Sequence, residues 1–180
     1  MKKTNRIVIL ILISTLLVLI VCKMYKIENE KNETSNMNTY MPEFKFNVLN
    51  NSEFNNDSLN NFKKKTIINY FNAHCDFCYH EIKDIISHKH LFPNTGFLLV
   101  SDQHTDTLIA FNKALKIDSF SSINICQVDY LDFVKKFGDV VPPTTFVYDS
   151  NKRLIKKYKG QIRAPVVADD IKKYYTKINE

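Results

Sequence analysis

Cys75 and Cys78 stand three positions apart in Asn69-Tyr-Phe-Asn-Ala-His-Cys75-Asp-Phe-Cys78-Tyr-His-Glu81, where a strand-like apolar run gives way to a helical pattern. Two thiols on the first turn of a helix can close into a disulfide and reopen without moving the fold. The chemistry this pair offers is therefore thiol–disulfide exchange. The duller readings are a purely structural disulfide or two inert thiols. Further on, Val141-Pro-Pro-Thr-Thr-Phe-Val147 sets a proline pair ahead of another apolar strand. Cys126 stands alone in Ile123-Asn-Ile-Cys-Gln-Val128 and reads as a core residue of a strand, and Cys22 falls in or beside an apolar N-terminal run.

Metal chemistry is the rival use of His74-Cys-Asp-Phe-Cys-Tyr-His80. A structural zinc site takes a second ligand pair from elsewhere, and none is evident. Covalent haem requires a histidine directly after the second cysteine, where this chain has Tyr79. No metal and no bound cofactor is expected, the redox group being a Cys75–Cys78 disulfide. His88, His90 and His104 read as surface residues.

The elements that must position these residues follow from periodicity. Phe44, Phe46 and Val48 alternate with polar residues as in a half-buried strand, and Phe54 and Leu59 suggest a short return strand and a helical turn. Thr66–Phe71 and Thr95–Val100 read as core strands. Between them, Cys78, Ile82, Ile85 and Ile86 give one apolar helical face from Asp76 to about His90. Leu108, Phe111 and Leu115 mark a second helix, Ile123–Val128 a strand, and Leu131, Val134 and Phe137 a short helix stopped by Gly138. Thr144–Tyr148 and Arg153–Tyr158 flank a turn and form a hairpin. Pro165 opens a terminal helix with Val167, Ile171, Tyr174 and Ile178 on one side. Alternating strands and helices ending in a hairpin and a helix predict an α/β fold with a mixed central sheet.

The net charge of +6 is uneven. Residues 1–26 carry Lys2, Lys3, Arg6, Lys23 and Lys26 and no acid; taking those five from the 25 basic residues leaves 20 against 19 acidic ones. The body of the chain is nearly neutral, which argues against a nucleic-acid partner. The basic start precedes an apolar run from Ile7 to Cys22. As a helix those residues span about 24 Å, short of the roughly 30 Å hydrocarbon core. Lys23 and Tyr25 at the far interface close the gap. Residues 1–26 are expected to be an uncleaved signal-anchor, a single transmembrane helix in the lipid bilayer that exports the rest of the chain. Acylation of Cys22 is the other option. Residues 27–41 read as a flexible polar tether, and residues 42–180 as the folded domain.

The order of these motifs resembles the thioredoxin superfamily, and more narrowly the membrane-tethered TlpA/ResA-like branch of the redoxin (AhpC/TSA) group. The likeness covers about residues 42–178 and includes the extra N-terminal strand pair, Cys75-Asp-Phe-Cys78, Glu81, Pro143-Thr-Thr-Phe146 and Gly160. It implies a thioredoxin-like fold, a cis Pro142–Pro143 bond facing the dithiol, and a substrate groove formed by His74, Pro142, Pro143 and Thr144. Cys75, at the helix start where orphan N–H groups favour a thiolate, would be the attacking thiol. Cys78, one turn in, would be buried and would resolve the mixed disulfide. Glu81 would lie beneath the dithiol with a raised pKa and exchange protons with Cys78, the bland alternative being a solvated helix glutamate. The chain departs from the pattern at Pro142, which has no N–H for an extended substrate, and at Asp76, a carboxylate that opposes a neighbouring thiolate.

The expected function is that of a membrane-anchored extracytoplasmic thiol:disulfide oxidoreductase, a reductase by bias. Its implied partners are protein disulfides, apocytochrome c among the branch's targets, and a membrane electron donor. A thiol peroxidase is a second class, disfavoured because Asn72 stands where peroxiredoxins carry threonine. A non-catalytic binding module is a third.

Overall fold

The computed structural model describes residues 12–23, 39–49, 52–60 and 65–178. Within the unit Met1–Met37, residues 12–23 form helix α1, about 18 Å long at 1.5 Å per residue. No helix among the described residues is long and apolar enough to cross a membrane. The rest of the expected anchor, and the tether up to residue 38, lie outside the described residues.

The second unit, Asn38–Glu180, holds a seven-stranded sheet and five helices among its described residues. The strands are β1 (Lys45–Val48), β2 (Glu53–Asn55), β3 (Lys65–Tyr70), β4 (Thr95–Ser101), β5 (Ile123–Gln127), β6 (Thr144–Tyr148) and β7 (Leu154–Lys159), in spatial order β2-β1-β5-β4-β3-β6-β7. The helices are α2 (Asn56–Asn60), α3 (Asp76–Ser87), α4 (Thr105–Leu115), α5 (Tyr130–Phe137) and α6 (Ala164–Ile178). Strands β3, β4 and β5 run parallel, and β1, β2, β6 and β7 complete the sheet with antiparallel pairings. Ordered pairing begins ahead of Pro42: Tyr40 bridges Arg153, and Met41 is buried with its N–H on the Lys152 carbonyl at 2.8 Å.

Helices cover both faces of the central strands, which explains why β3 and β4 read as continuous apolar runs. Their period of two divides the core. Ile67, Phe71, Phe97 and Leu99 face one cluster, with Ile82 and Ile85 of α3 and Val167 and Ile171 of α6. Ile68, Tyr70, Leu98 and Val100 face the other, built on Phe44, Phe46, Phe133, Phe137 and Phe146. Rings of the second cluster stack closely, with Phe44–Phe46 centroids 4.4 Å and Phe133–Phe137 centroids 4.5 Å apart.

Two predicted helical faces and one helix end are corrected. Leu131 is 73% exposed, because Asp129 caps α5 by accepting the Asp132 N–H and so turns Phe133 and Phe137 inward. Ile178 sits exposed on the last turn of α6. Helix α3 ends at Ser87, where the His88 N–H bonds back to Asp84, and Lys89–Leu91 forms a separate 3-10 turn.

Candidate active site

The site forms where β3 ends and α3 begins, at the C-terminal edge of the parallel strands. Cys75 is the N-cap of α3, extended in backbone and half-buried; Cys78 lies in the first turn and is fully buried. Both are free thiols, as is the buried Cys126 in β5. Burial pushes the Cys78 thiol up to about 12; Cys75 and Glu81 act the same way, while the Asn72 N–H, 3.5 Å from Sγ, works against them. The loop before the dithiol is closely tied. The Cys75 N–H bonds the Asn72 carbonyl at 3.1 Å, the His74 N–H bonds Asn72 Oδ1 at 2.8 Å, and the Ala73 N–H bonds Gln103 Oε1 at 2.5 Å.

Glu81 is fully buried one turn beyond Cys78, and so is not a solvated helix glutamate. The sheet period explains its partners. Asn69 and Thr145 are directly paired across β3 and β6 and share the face that meets α3. Glu81 Oε1 accepts from Asn69 Nδ2 at 2.7 Å and from the Thr145 hydroxyl at 2.6 Å, while Oε2 accepts the Ile162 N–H at 2.8 Å. Burial raises the Glu81 pKa, and these three donors partly offset it. Among the described residues, Asn69 Oδ1 is buried with no partner.

The proline loop closes the same end of the sheet, since Thr144 pairs with Tyr70, the last residue of β3. The Pro142–Pro143 bond is cis, as expected. Pro143 is buried and Pro142 half-buried. The Pro143 carbonyl accepts the N–H of Gly160, whose φ of 82° suits glycine at this close turn. Thr144 is fully buried rather than groove-lining: its hydroxyl donates to the Val141 carbonyl at 2.7 Å and accepts the Val141 N–H at 3.3 Å. His74 and Asp76 are exposed, and so are Phe77 between the cysteines (63%) and Val141 (71%). His90 and His104 are exposed and His88, half-buried, pairs with Asp84 at 3.0 Å. Among the described residues, no three His, Cys, Asp or Glu side chains converge as a metal ligand set.

Asn69, Asn72, Gln103 and Thr145 were not predicted. Asn69 and Thr145 did leave a signal, each being a polar residue in the buried part of a core strand, where a partner is obligatory.

A buried thiol and a half-buried thiol one turn apart, at the same end of this sheet as a cis-proline loop, define a thioredoxin-like fold with a dithiol at the C-terminal edge of its parallel strands. Solved structures agree on the fold. The chain is similar to a thioredoxin-family thiol:disulfide interchange protein from Chlorobium tepidum TLS, with 19% identity, TM-score 0.61, and 74% of this chain and 94% of that one covered. It is similar to StoA from Bacillus subtilis at 17% identity and TM-score 0.58, over 74% of this chain and 99% of that one. The yeast mitochondrial 1-Cys peroxiredoxin matches at 14% identity and TM-score 0.64, over 81% of this chain and 78% of that one. No family model and no curated protein matches the sequence.

Proposed function

We propose that this chain is a membrane-anchored extracytoplasmic thiol:disulfide oxidoreductase that reduces protein disulfides through Cys75 and Cys78. The observation that carries the reading is the division between the two thiols, Cys75 reachable at the head of α3 and Cys78 sealed one turn below it. Cys75 thiolate attacks one sulfur of a target disulfide; the target S–S bond breaks and its other half leaves as a thiolate. Cys78 then loses its proton and attacks the Cys75 sulfur, forming Cys75–Cys78 and releasing the second target thiol. Two electrons pass to the target, and the two protons of the dithiol end on its thiols. A membrane electron donor supplies two electrons and two protons to reopen the disulfide. Glu81, raised by burial and fixed beneath Cys78, is the group suited to take and return the resolving proton.

The resemblance to the TlpA/ResA-like branch makes apocytochrome c one target to test. Helix α1 supports the anchor, because Leu12, Ile13, Leu16, Leu17, Val18, Leu19, Ile20 and Val21 are all exposed along it. The peroxiredoxin likeness favours a peroxidase as the second reading. Against it, Asn72 Oδ1 is already bonded to the His74 N–H.

Insulin reduction by the dithiothreitol-coupled protein tests the reading. Cys75→Ser abolishes it, and Cys78→Ala accumulates mixed disulfides with target proteins. Peroxide consumption at a higher rate than disulfide reduction would overturn it in favour of the peroxidase.

A further inference from the structure

Five successive backbone N–H groups lead into the nucleophile, and each has an acceptor. Phe71 N–H bonds the Val100 carbonyl at 2.9 Å, continuing the sheet, and Ala73 N–H bonds Gln103 Oε1. The other three involve Asn72. Its side-chain carbonyl takes the His74 N–H at 2.8 Å, an Asx turn, and its main-chain carbonyl takes the Cys75 N–H at 3.1 Å. Its own N–H points to Cys78 Sγ at 3.5 Å. One residue thus touches both ends of the dithiol.

Resting on the functional reading above, we propose that Asn72 is a positioning residue: by closing the turn over residues 72–75 it holds its own N–H on the Cys78 sulfur and so sets how fast Cys78 resolves a mixed disulfide.

Cys78 is fully buried, so water does not stabilise its thiolate, and the ionisable groups bearing on it are Cys75 and Glu81, at the head of α3 and within it. In the reduced protein both disfavour the charged sulfur, as burial does, and the Asn72 N–H favours it; in the mixed disulfide Cys75 carries no charge, and that N–H works against burial and Glu81. A backbone N–H survives any substitution except proline, so the side chain matters only by fixing where that N–H points. An alanine leaves the His74 N–H to solvent, since His74 is exposed, and frees the peptide planes of residues 72–74 to rotate. A serine keeps an oxygen that can accept the N–H two residues on. The prediction is therefore a kinetic defect in one half-reaction, with little change in folding.

Ellman's reagent, used on the full chain in detergent with Cys22→Ser, separates the two half-reactions. Cys75 thiolate attacks the reagent's S–S bond and expels one thionitrobenzoate. Cys78 gives up its proton, which passes by way of Glu81 to solvent, attacks the Cys75 sulfur and expels the second, the reagent being the two-electron oxidant. Asn72→Ala is expected to slow the second phase about three- to tenfold at pH 7, the scale of one neutral hydrogen bond. That phase should also move to higher pH, while the first stays within about twofold and Asn72→Ser recovers most of the loss. An unchanged second phase, equal slowing of both phases, or a serine variant no better than alanine would overturn the proposal. A protein that shows both phases and the Asn72 effect yet reduces no protein disulfide sinks the functional reading and leaves this assignment standing. A wild type without a second phase overturns both.

Discussion

Glu81 Oε2 accepts the backbone N–H of Ile162 at 2.8 Å, so the buried acid beneath the dithiol also fastens the segment that enters α6. One turn later in α3, Asp84 Oδ2 accepts the N–H of Ala164, the first residue of α6, at 2.7 Å. The two carboxylates, three residues apart on one helix face, staple α6 to α3. The charge state of Glu81 therefore acts on stability as well as on the thiols.

Burial raises the Glu81 carboxyl above the roughly 4.3 it has in an unfolded chain. Between those two values the native state holds a proton that the unfolded state has released. The contribution is full below about pH 4 and is lost as pH rises through the native value. Glu81→Gln removes this term. Urea unfolding from pH 4 to pH 8 should show wild-type stability falling relative to the variant by about 1.4 kcal/mol per pH unit within that window. A difference between the two proteins that does not vary with pH would contradict the raised carboxyl.

Thr145→Val keeps the shape of the side chain and removes the 2.6 Å donor to Glu81 Oε1, leaving Asn69 Nδ2 as that oxygen's partner. Because Thr145 and Glu81 are both fully buried, the loss should cost about 1–3 kcal/mol. It should also raise the Glu81 carboxyl further, since the Thr145 bond is the largest influence lowering it. Thr144→Val gives a second comparison, its hydroxyl bonding Val141 on the proline loop instead. Chemical denaturation of the two variants across pH separates the effects: only Thr145→Val should carry the fall in stability to higher pH, its slope within the window staying that of one proton.

Cys75 and Cys78 should differ sharply in alkylation. In reduced protein at pH 7, iodoacetamide should label the half-buried Cys75 and leave Cys78 and Cys126, both fully buried and both pushed up to about 12 by burial. Thiolate is the reacting form, so labelling of Cys78 should become appreciable only as pH approaches that range. Peptide masses after timed quenching give the order. Equal rates at Cys75 and Cys78 would remove the distinction between attacking and resolving thiols.

The sequence made the fold legible where pattern and chemistry coincided. The period of two in Phe44-Phe46-Val48, the unbroken run of β3 and the Cys-x-x-Cys at its end each led to the right element. It misled where a short helix admits more than one apolar face. Leu131, Val134 and Phe137 fit a helical spacing as well as Phe133 and Phe137 do, and only the Asp129 cap decides the phase. Glu81 was ambiguous for another reason. A glutamate on a helix is ordinarily solvated, and what makes this one buried is a pair of donors, Asn69 and Thr145, that are 12 and 64 residues away in the chain. Asn72 was invisible as a positioning group because its contacts are all with backbone N–H groups and a sulfur, which no spacing encodes.

The last prediction concerns α1. A helix with exposed apolar side chains on every side, Leu12 at 62%, Ile13 at 50%, Val18 at 60% and Val21 at 60%, has no continuous polar face to turn toward water. In the anchor reading these residues face lipid, with Lys2, Lys3 and Arg6 on the cytoplasmic side. The full chain should then remain in the membrane fraction after a high-salt wash, and a C-terminal reporter active only outside the cytoplasm should be active. A lysine near the centre of a membrane helix costs about 2.5–3.5 kcal/mol in insertion. Leu16→Lys combined with Ile20→Lys should therefore move most of the chain to the soluble or cytoplasmic pool and silence the reporter, while the thiols still react with Ellman's reagent. Recovery of the wild type as a shortened soluble protein, or indifference of its location to the two lysines, would sink the anchor; mass labelling of Cys22 by an acyl chain would replace it with a lipid attachment.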